Sequence, residues 1–267
     1  MVGAIIGDVV GSRFEFNNHL SKKFQFFDNS CCFTDDTVMT CAVAHALLKA
    51  DGDWNKLTPE FIVKAYKEIG TMYPGCGYGA KFFNWMNFEK DPKPYNSCGN
   101  GSAMRISPVG FVARTGDEVK MLSKKLTEVS HDHPEGLKGA ECTAMCIYLA
   151  RCGHNKRVIR NYVENHYYHL DKTCDAYRKE QAGQHGKEIC QISVPQALEC
   201  FFESNSFEDC IRNCVSIGGD TDTIAAIAGG IAEAYYGVPS KYTEGIYGYL
   251  DYNLANILAT FRQMYIA

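Results

Sequence analysis

Two short runs carry most of the chemistry this sequence can do. Thr34-Asp35-Asp36-Thr37 stands where a helical pattern begins, and Asp220-Thr221-Asp222-Thr223 follows Gly218-Gly219 and precedes another. Each run alone reads as a helix cap. Thr and Asp satisfy free backbone N–H groups and complement the helix dipole. A cap needs one oxygen, however, and each run offers two carboxylates and two hydroxyls. Together, four aspartates and several threonines supply the hard oxygen donors that suit Mg²⁺, Mn²⁺ or Ca²⁺ rather than zinc. Four like charges gathered at the ends of two packed helices repel unless cations neutralise them. Two divalent ions, about 3.5–4 Å apart in two-metal hydrolases, meet that need. Spacing leaves both readings open, paired caps and a two-metal site.

Three further groups deserve a chemical reading. Gly99-Asn100-Gly101-Ser102-Ala103-Met104-Arg105 joins glycines, which let backbone N–H groups approach an anion, to hydrogen-bonding side chains. An ordinary turn before a short helix has the same composition. Arg105 suits either a phosphate or a structural ion pair. Ser130-His131-Asp132-His133-Pro134 has metal-site composition, with substrate contact preferred for His131 and no role assigned to His133. The thirteen cysteines include Cys142 with Cys146 and Cys210 with Cys214 at helical spacing, and none forms a Cys-x-x-Cys pair. They read as buried thiols of a reducing cytoplasm; zinc, with Cys152 and His154 as extra ligands, is the disfavoured alternative.

The elements that position these groups follow a helical period. Thr34–50 is one helix. Thr58-Pro59-Glu60 starts another that stops near Gly70. Residues 136–151 form a third, with Gly153 as the stop. Helices are expected over 195–203, over 207–215 with Ser206 as cap, over 221–236 ending at Gly237, and over about 253–265. Segments 16–33, 89–101 and 171–186 read as loops, and no stretch alternates as a hairpin does. The expectation is a mainly or wholly α-helical single domain over residues 1–267.

Composition excludes some functions. Hydrophobic residues make up 46% and charged residues 22%, with a net charge of −4, so no global basic surplus points to a nucleic-acid coat. No run approaches the roughly 20 apolar residues of a membrane span. The apolar run Gly3–11 carries Asp8 and no basic leader, and reads as folded structure rather than a signal peptide.

Five blocks in order resemble the ADP-ribosylglycohydrolase family. They are Gly7-Asp8-Val9-Val10-Gly11 with Glu15, Phe33-Thr34-Asp35-Asp36-Thr37, Gly99 to Arg105, Ser130-His131, and Gly218-Gly219-Asp220-Thr221-Asp222-Thr223. The family includes dinitrogenase reductase-activating glycohydrolases and ADP-ribosylarginine hydrolases. The resemblance implies an all-α, compact, orthogonal helical bundle and a binuclear magnesium or manganese centre. It implies hydrolysis of the glycosidic bond between ADP-ribose and an acceptor. Thr34, Asp35, Asp36, Asp220, Asp222 and Thr223 are then the expected metal ligands. Glu15 lies beside the metals, and Glu15, Asp35, Asp36 and Asp222 are the candidate catalytic carboxylates. Gly99, Asn100, Gly101, Ser102, Met104 and His131 are expected to hold the diphosphate and its ribose. The expected partners are an ADP-ribosylated protein or small molecule as substrate and ADP-ribose as product, with protein arginine the first acceptor to test. A nucleic-acid acceptor finds no support in the charge. The protein is expected to be a cytoplasmic monomer without membrane contact. Residues 22–33, 73–78 and 89–98 are expected to form the specificity rim, although Phe24, Phe26, Phe27, Tyr73, Tyr78 and Tyr95 read mostly as packing. The rival functions are a two-metal phosphoesterase and a non-catalytic ADP-ribose-binding relative on the same scaffold.

Overall fold

Capping chemistry sets most of the helix boundaries. The computed structural model describes residues 1–180 and 187–266. The first helix, α1, spans Val2–Gly11 and is buried on every face, as its uniformly apolar sequence requires. The second, α2, spans Asp35–Ala50; Thr34 Oγ1 accepts from Asp36 N at 3.3 Å, and Asp51 ends the helix in the left-handed region. Thr58 caps α3, Pro59–Gly70, with proline at its first position. Next come α4, Ala80–Asn87, the four-residue α5, Gly101–Met104, and α6, Ser107–Val112. Thr115 and Glu118 bracket the start of α7, Gly116–Glu128, as a capping pair. The long α8, Pro134–Arg151, is capped by His133 Nδ1, which accepts from Glu135 N at 3.0 Å; this gives His133 a structural role. The helices α9, Lys156–His166, and α10, Cys174–Glu180, follow. Then come α11, Cys190–Phe202, α12, Phe207–Ile217 under Ser206, and α13, Thr221–Tyr236. The last two are α14, Ser240–Gly245, and α15, Tyr252–Tyr265.

The chain thus adopts the expected all-α architecture. Among the described residues the only strand-like pairing is an isolated bridge between Gly99 and Ile189. None of the described helices is long and apolar enough to cross a membrane. Two boundaries differ from expectation. The segment read as a helix from Pro195 begins at Cys190, because Cys190 N donates to Cys98 O at 3.0 Å and so fixes an earlier start. Pro195 lies inside the helix, where it cannot donate to a preceding carbonyl. The expected loop 171–186 contains α10, whose start is held by Thr173 Oγ1 accepting from Ala176 N at 3.2 Å; residues 181–186 of that loop lie outside the described residues.

The central helix pair positions the chemistry. The most extensive contact of α1 is with α13, and the two run antiparallel: Gly3 faces Gly229, Gly7 faces Ala225 and Gly11 faces Asp222. A Cβ on Gly7 would stand 2.0 Å from Ala225 O, so only glycine admits this approach. Around the pair, buried apolar side chains from α1 to α15 make one continuous cluster. Nine of the thirteen cysteines belong to it and the half-buried Cys76 packs against it, as small hydrophobes do.

Candidate active site

The amino ends of α2 and α13 meet at one cavity. Thr223 Oγ1, on α13, donates to Asp36 Oδ2, on α2, at 3.2 Å. The two aspartate runs, 184 positions apart between Asp36 and Asp220, therefore share a centre. Carboxylate oxygens of Glu15, Asp220 and Asp222 lie within 4.8 Å of one another. Asp36 is 2% exposed, and its Oδ1 is buried with no hydrogen-bond partner. Thr34, Asp35, Asp36, Asp220, Asp222, Thr223 and Glu15 all line a cavity of about 400 Å³.

Behind this centre sits Asp8, fully buried on α1. It accepts from Thr34 N at 3.0 Å, Thr34 Oγ1 at 2.8 Å and Thr37 N at 3.0 Å. Asp8 thus caps α2 from outside and fixes Thr34. Thr34 Oγ1, having donated to Asp8, is left to accept from Asp36 N. Gly218 and Gly219 both have positive φ, which turns the chain sharply from α12 into the Asp220 run. Gly219 N donates to Asn18 Oδ1 at 2.9 Å, and Thr221 Oγ1 donates to Gly11 O at 2.9 Å, tying the turn to α1.

The electrostatics are those of a crowded anion cluster. Desolvation, then neighbouring carboxylates, pushes Asp35 up to about 8 and Glu15 up to about 7. The same causes hold Asp36 and Asp222 well above the usual carboxylate range. Burial raises Asp8 to about 6 against the pull of its Thr34 and Thr37 hydrogen bonds. Among the described residues no lysine or arginine forms an ion pair with any of these five carboxyls. An orphaned buried oxygen, hard donors and uncompensated charge together fit a divalent cation.

The opposite wall of the cavity is the Gly99–Met104 loop with His131. Asn100 Nδ2 donates to Ser193 Oγ at 2.8 Å and to Asp220 Oδ2, so it joins the loop to the carboxylates. Gly99, Asn100, Gly101, Met104 and His131 line the cavity; Ser102 is not among the lining residues. The Ser102 hydroxyl donates to Gly136 O at 2.9 Å, behind the loop. Gly99 N donates to Ser97 Oγ at 3.1 Å and Asn100 N to Glu188 O at 3.2 Å. The expectation of a free Gly99 amide is therefore corrected: the loop's own turn consumes it.

The rim also differs from the sequence reading. No residue of 22–33 lines the cavity. Phe26 is buried against Tyr242, and Phe24 packs on Phe14 and under Arg212, so core and surface packing claim them. The other two expected segments do reach it, through Cys76 and Gly77 and through Tyr95 and Ser97, and Phe16, Gly79 to Phe82 and Glu188 complete the rim. Asp8, Phe16 and Glu188 have no assigned site role in the sequence, and Arg105 has only the open choice between phosphate and ion pair. Of these only Asp8 and Arg105 fall inside recognisable blocks. A larger groove of about 830 Å³ runs beside α3 and residues 90–94, lined by mixed lysines and acids. It lacks a convergent donor set, so size alone does not mark the site.

Known proteins resemble this chain over nearly its whole length. A family model described as ADP-ribosylglycohydrolase matches residues 1–265. The chain is 25% identical to ADP-ribosylhydrolase ARH3 of Homo sapiens, over 93% of this chain and 88% of that protein. It is 24% identical to the ADP-ribosyl-[dinitrogen reductase] glycohydrolase of Rhodospirillum rubrum, over 89% and 84%. A solved structure, an ADP-ribosylglycohydrolase-related protein complex, shares the fold with a TM-score of 0.69 and 21% identity, covering 98% of this chain and 96% of that one. The chain belongs to the ADP-ribosylglycohydrolase family.

Proposed function

We propose that this enzyme releases ADP-ribose from an arginine acceptor, and that two divalent cations, Mg²⁺ or Mn²⁺, complete its site. By its family the chain is an ADP-ribosyl glycohydrolase and hydrolyses ADP-ribose linkages. The observation that carries the metal reading is the bond from Thr223 to Asp36 beside the unpartnered Asp36 Oδ1. Thr34, Asp35 and Asp36 would hold the cations from α2, and Asp220, Asp222 and Thr223 from α13. Bound cations supply positive charge that acidifies water and steadies ribose oxygens.

The chain's own groups divide the remaining work. Glu15 stands at the open edge of the carboxylate trio and takes the proton from the attacking water. Water oxygen bonds to the anomeric carbon, the bond to the acceptor breaks, and the departing guanidine keeps the electron pair and gains a proton. Asn100 and the Gly99–Met104 loop face the diphosphate and its ribose. Glu188 supports the choice of acceptor. Its side chain is exposed at the rim, near Asp220, with no cationic partner among the described residues. A carboxylate so placed matches a guanidinium better than a neutral hydroxyl.

The test is incubation with ADP-ribosylated arginine, serine, poly-ADP-ribose and nucleic acid, first in EDTA and then with Mg²⁺ or Mn²⁺. ADP-ribose is expected from the arginine substrate, and only with metal. Release from serine alone would overturn the acceptor, and release in EDTA would overturn the metals.

The same centre sets a dependence of stability on pH. In metal-free protein Asp8, Glu15 and Asp35 titrate at about 6, 7 and 8 when folded, against roughly 4 for unfolded carboxylates. The unfolded chain therefore loses these protons first. Their contribution is full below about pH 4 and falls as pH rises towards 8. Calorimetry in EDTA should show Tm declining between about pH 5.5 and 8, with Mn²⁺ raising it most at the upper end. A Tm that climbs over this range without metal would contradict the cluster's charge state.

A further inference from the structure

We propose that Arg105 and Ser130 are positioning residues that lock His131 as the Nε2–H tautomer, so that its ring donates to an oxyanion of the nucleoside diphosphate in the cavity. The inference rests on the reading above that the Gly99–Met104 loop faces the diphosphate.

Arg105 is 1% exposed, between the rings of Tyr66 and Phe82, each 5.2 Å from its guanidinium carbon. It pairs with no carboxylate among the described residues, which corrects the option of a structural ion pair; its Nη2 reaches Ser130 Oγ at 2.7 Å and His131 Nδ1 at 3.3 Å. A guanidinium only donates. Ser130 Oγ therefore accepts from Arg105 and keeps its own proton to give. That proton points along the 2.8 Å contact to His131 Nδ1. Two donors then converge on Nδ1, so Nδ1 must be the bare nitrogen of a neutral ring, and the proton sits on Nε2. Burial and the Arg105 charge both keep the ring from a second proton.

Nε2 is the atom that faces the loop. A Cβ built on Gly101 would stand 3.3 Å from it, and one on Gly99 3.6 Å. No hydrogen bond from Nε2 to a described residue exists, and His131 lines the cavity. The Gly99 and Asn100 amides are already engaged. An anion on this wall therefore meets one fixed side-chain donor, backed by a buried guanidinium that no carboxylate among the described residues pairs with.

The test uses full-length protein labelled with ¹⁵N-histidine, in EDTA, with ADP as probe. The His131 signal is assigned through His131→Asn. Long-range ¹H–¹⁵N spectra of the wild type should show only the Nε2–H tautomer, and ADP should shift Nε2. Ser130→Ala and Arg105→Met should lose the single tautomer and weaken ADP binding about tenfold, the loss of roughly one net hydrogen bond. In turnover, KM should rise more than kcat falls. An Nδ1–H tautomer in the wild type, or ADP binding unmoved in Ser130→Ala, overturns the proposal. Should Arg105→Met fail to fold, Ser130→Ala decides alone, since it removes one oxygen. Failure of the metal or acceptor reading would show in the release assay and leave these spectra unchanged.

Discussion

Asp222→Ala and Asp35→Ala should each lower kcat by about 10²–10³-fold at saturating Mn²⁺, the scale of removing one preorganised electrostatic group, while the protein stays folded. Asp222 is 4% exposed, and its carboxylate stands among Asp220, Asp36 and Glu15, all anionic when metal is bound. Asp35 faces the cavity from the first turn of α2 and is repelled by Asp8, Asp220 and Glu15. Removing either carboxylate relieves like-charge repulsion. The metal-free variants should therefore melt no lower than the wild type at about pH 8. What they lose is the rise in Tm on adding Mn²⁺, because a ligand stabilises only as far as it binds the native state. The pairing of unharmed metal-free stability with lost metal response separates a ligand from a structural aspartate. Wild-type kcat in both variants would end the two-metal mechanism. A drop in metal-free Tm would instead mark these groups as caps.

The sequence disclosed the donors better than their supports. Thr34 to Asp36 and Asp220 to Thr223 were legible because each run has more oxygen than a cap requires, and each stands where a helical period begins. Asp8 was not, because its three donors come from Thr34 and Thr37, far along the chain. A buried acid inside an apolar run is a signal, but its partner is set by packing. Arg105 was visible inside a block, yet its role depends on Ser130 and His131 arriving from the loop after α7. Glu188 carries no motif at all; only the bridge between Gly99 and Ile189 brings it to the rim. Phe24, Phe26 and Phe27 follow the packing reading given to most of the rim aromatics. They suit a binding rim by type, but Phe26 and Phe27 find rings on α14 and after it, Tyr242 and Tyr249. The start of α7 could have been read, since Thr115 and Glu118 have the capping spacing. The start of α11 could not, since Pro195 imitates a first helical residue and the true start depends on a backbone bond to Cys98.

Gly7→Ala and Gly11→Ala should both destabilise the fold, and Gly11→Ala should also cost activity. In an ordinary helix interior, alanine for glycine stabilises by about 1 kcal/mol. Here the added carbon meets backbone. At Gly7 it would stand 2.0 Å from Ala225 O, and at Gly11 2.5 Å from Asp222 Cα. Neither neighbour can rotate away, so α1 and α13 must part along their shared axis. Overpacking of this kind costs about 1–3 kcal/mol, occasionally more, and exceeds the propensity gain. Gly116 offers the control. It opens α7, and a Cβ there meets only Met145 Cε at 3.8 Å, an ordinary contact. Gly116→Ala should be neutral or slightly stabilising. The split between the two α1 variants is the informative result. Gly7 meets Ala225, three residues along α13 from Asp222, and touches no carboxylate of the cavity, although Asp8 follows it in the chain, so its variant should lose less kcat than Gly11→Ala. Gly11 touches the residue that carries the Asp222 carboxylate, and a shift of several tenths of an ångström there spoils an oxygen cage set by hydrogen bonds near 3 Å. Its kcat should fall at least about tenfold, as when a supporting group beside a metal ligand is lost. Denaturant titration and kcat on the same preparations measure both effects. If Gly11→Ala instead gained stability and kept its rate, α1 would not be the surface against which Asp222 is set.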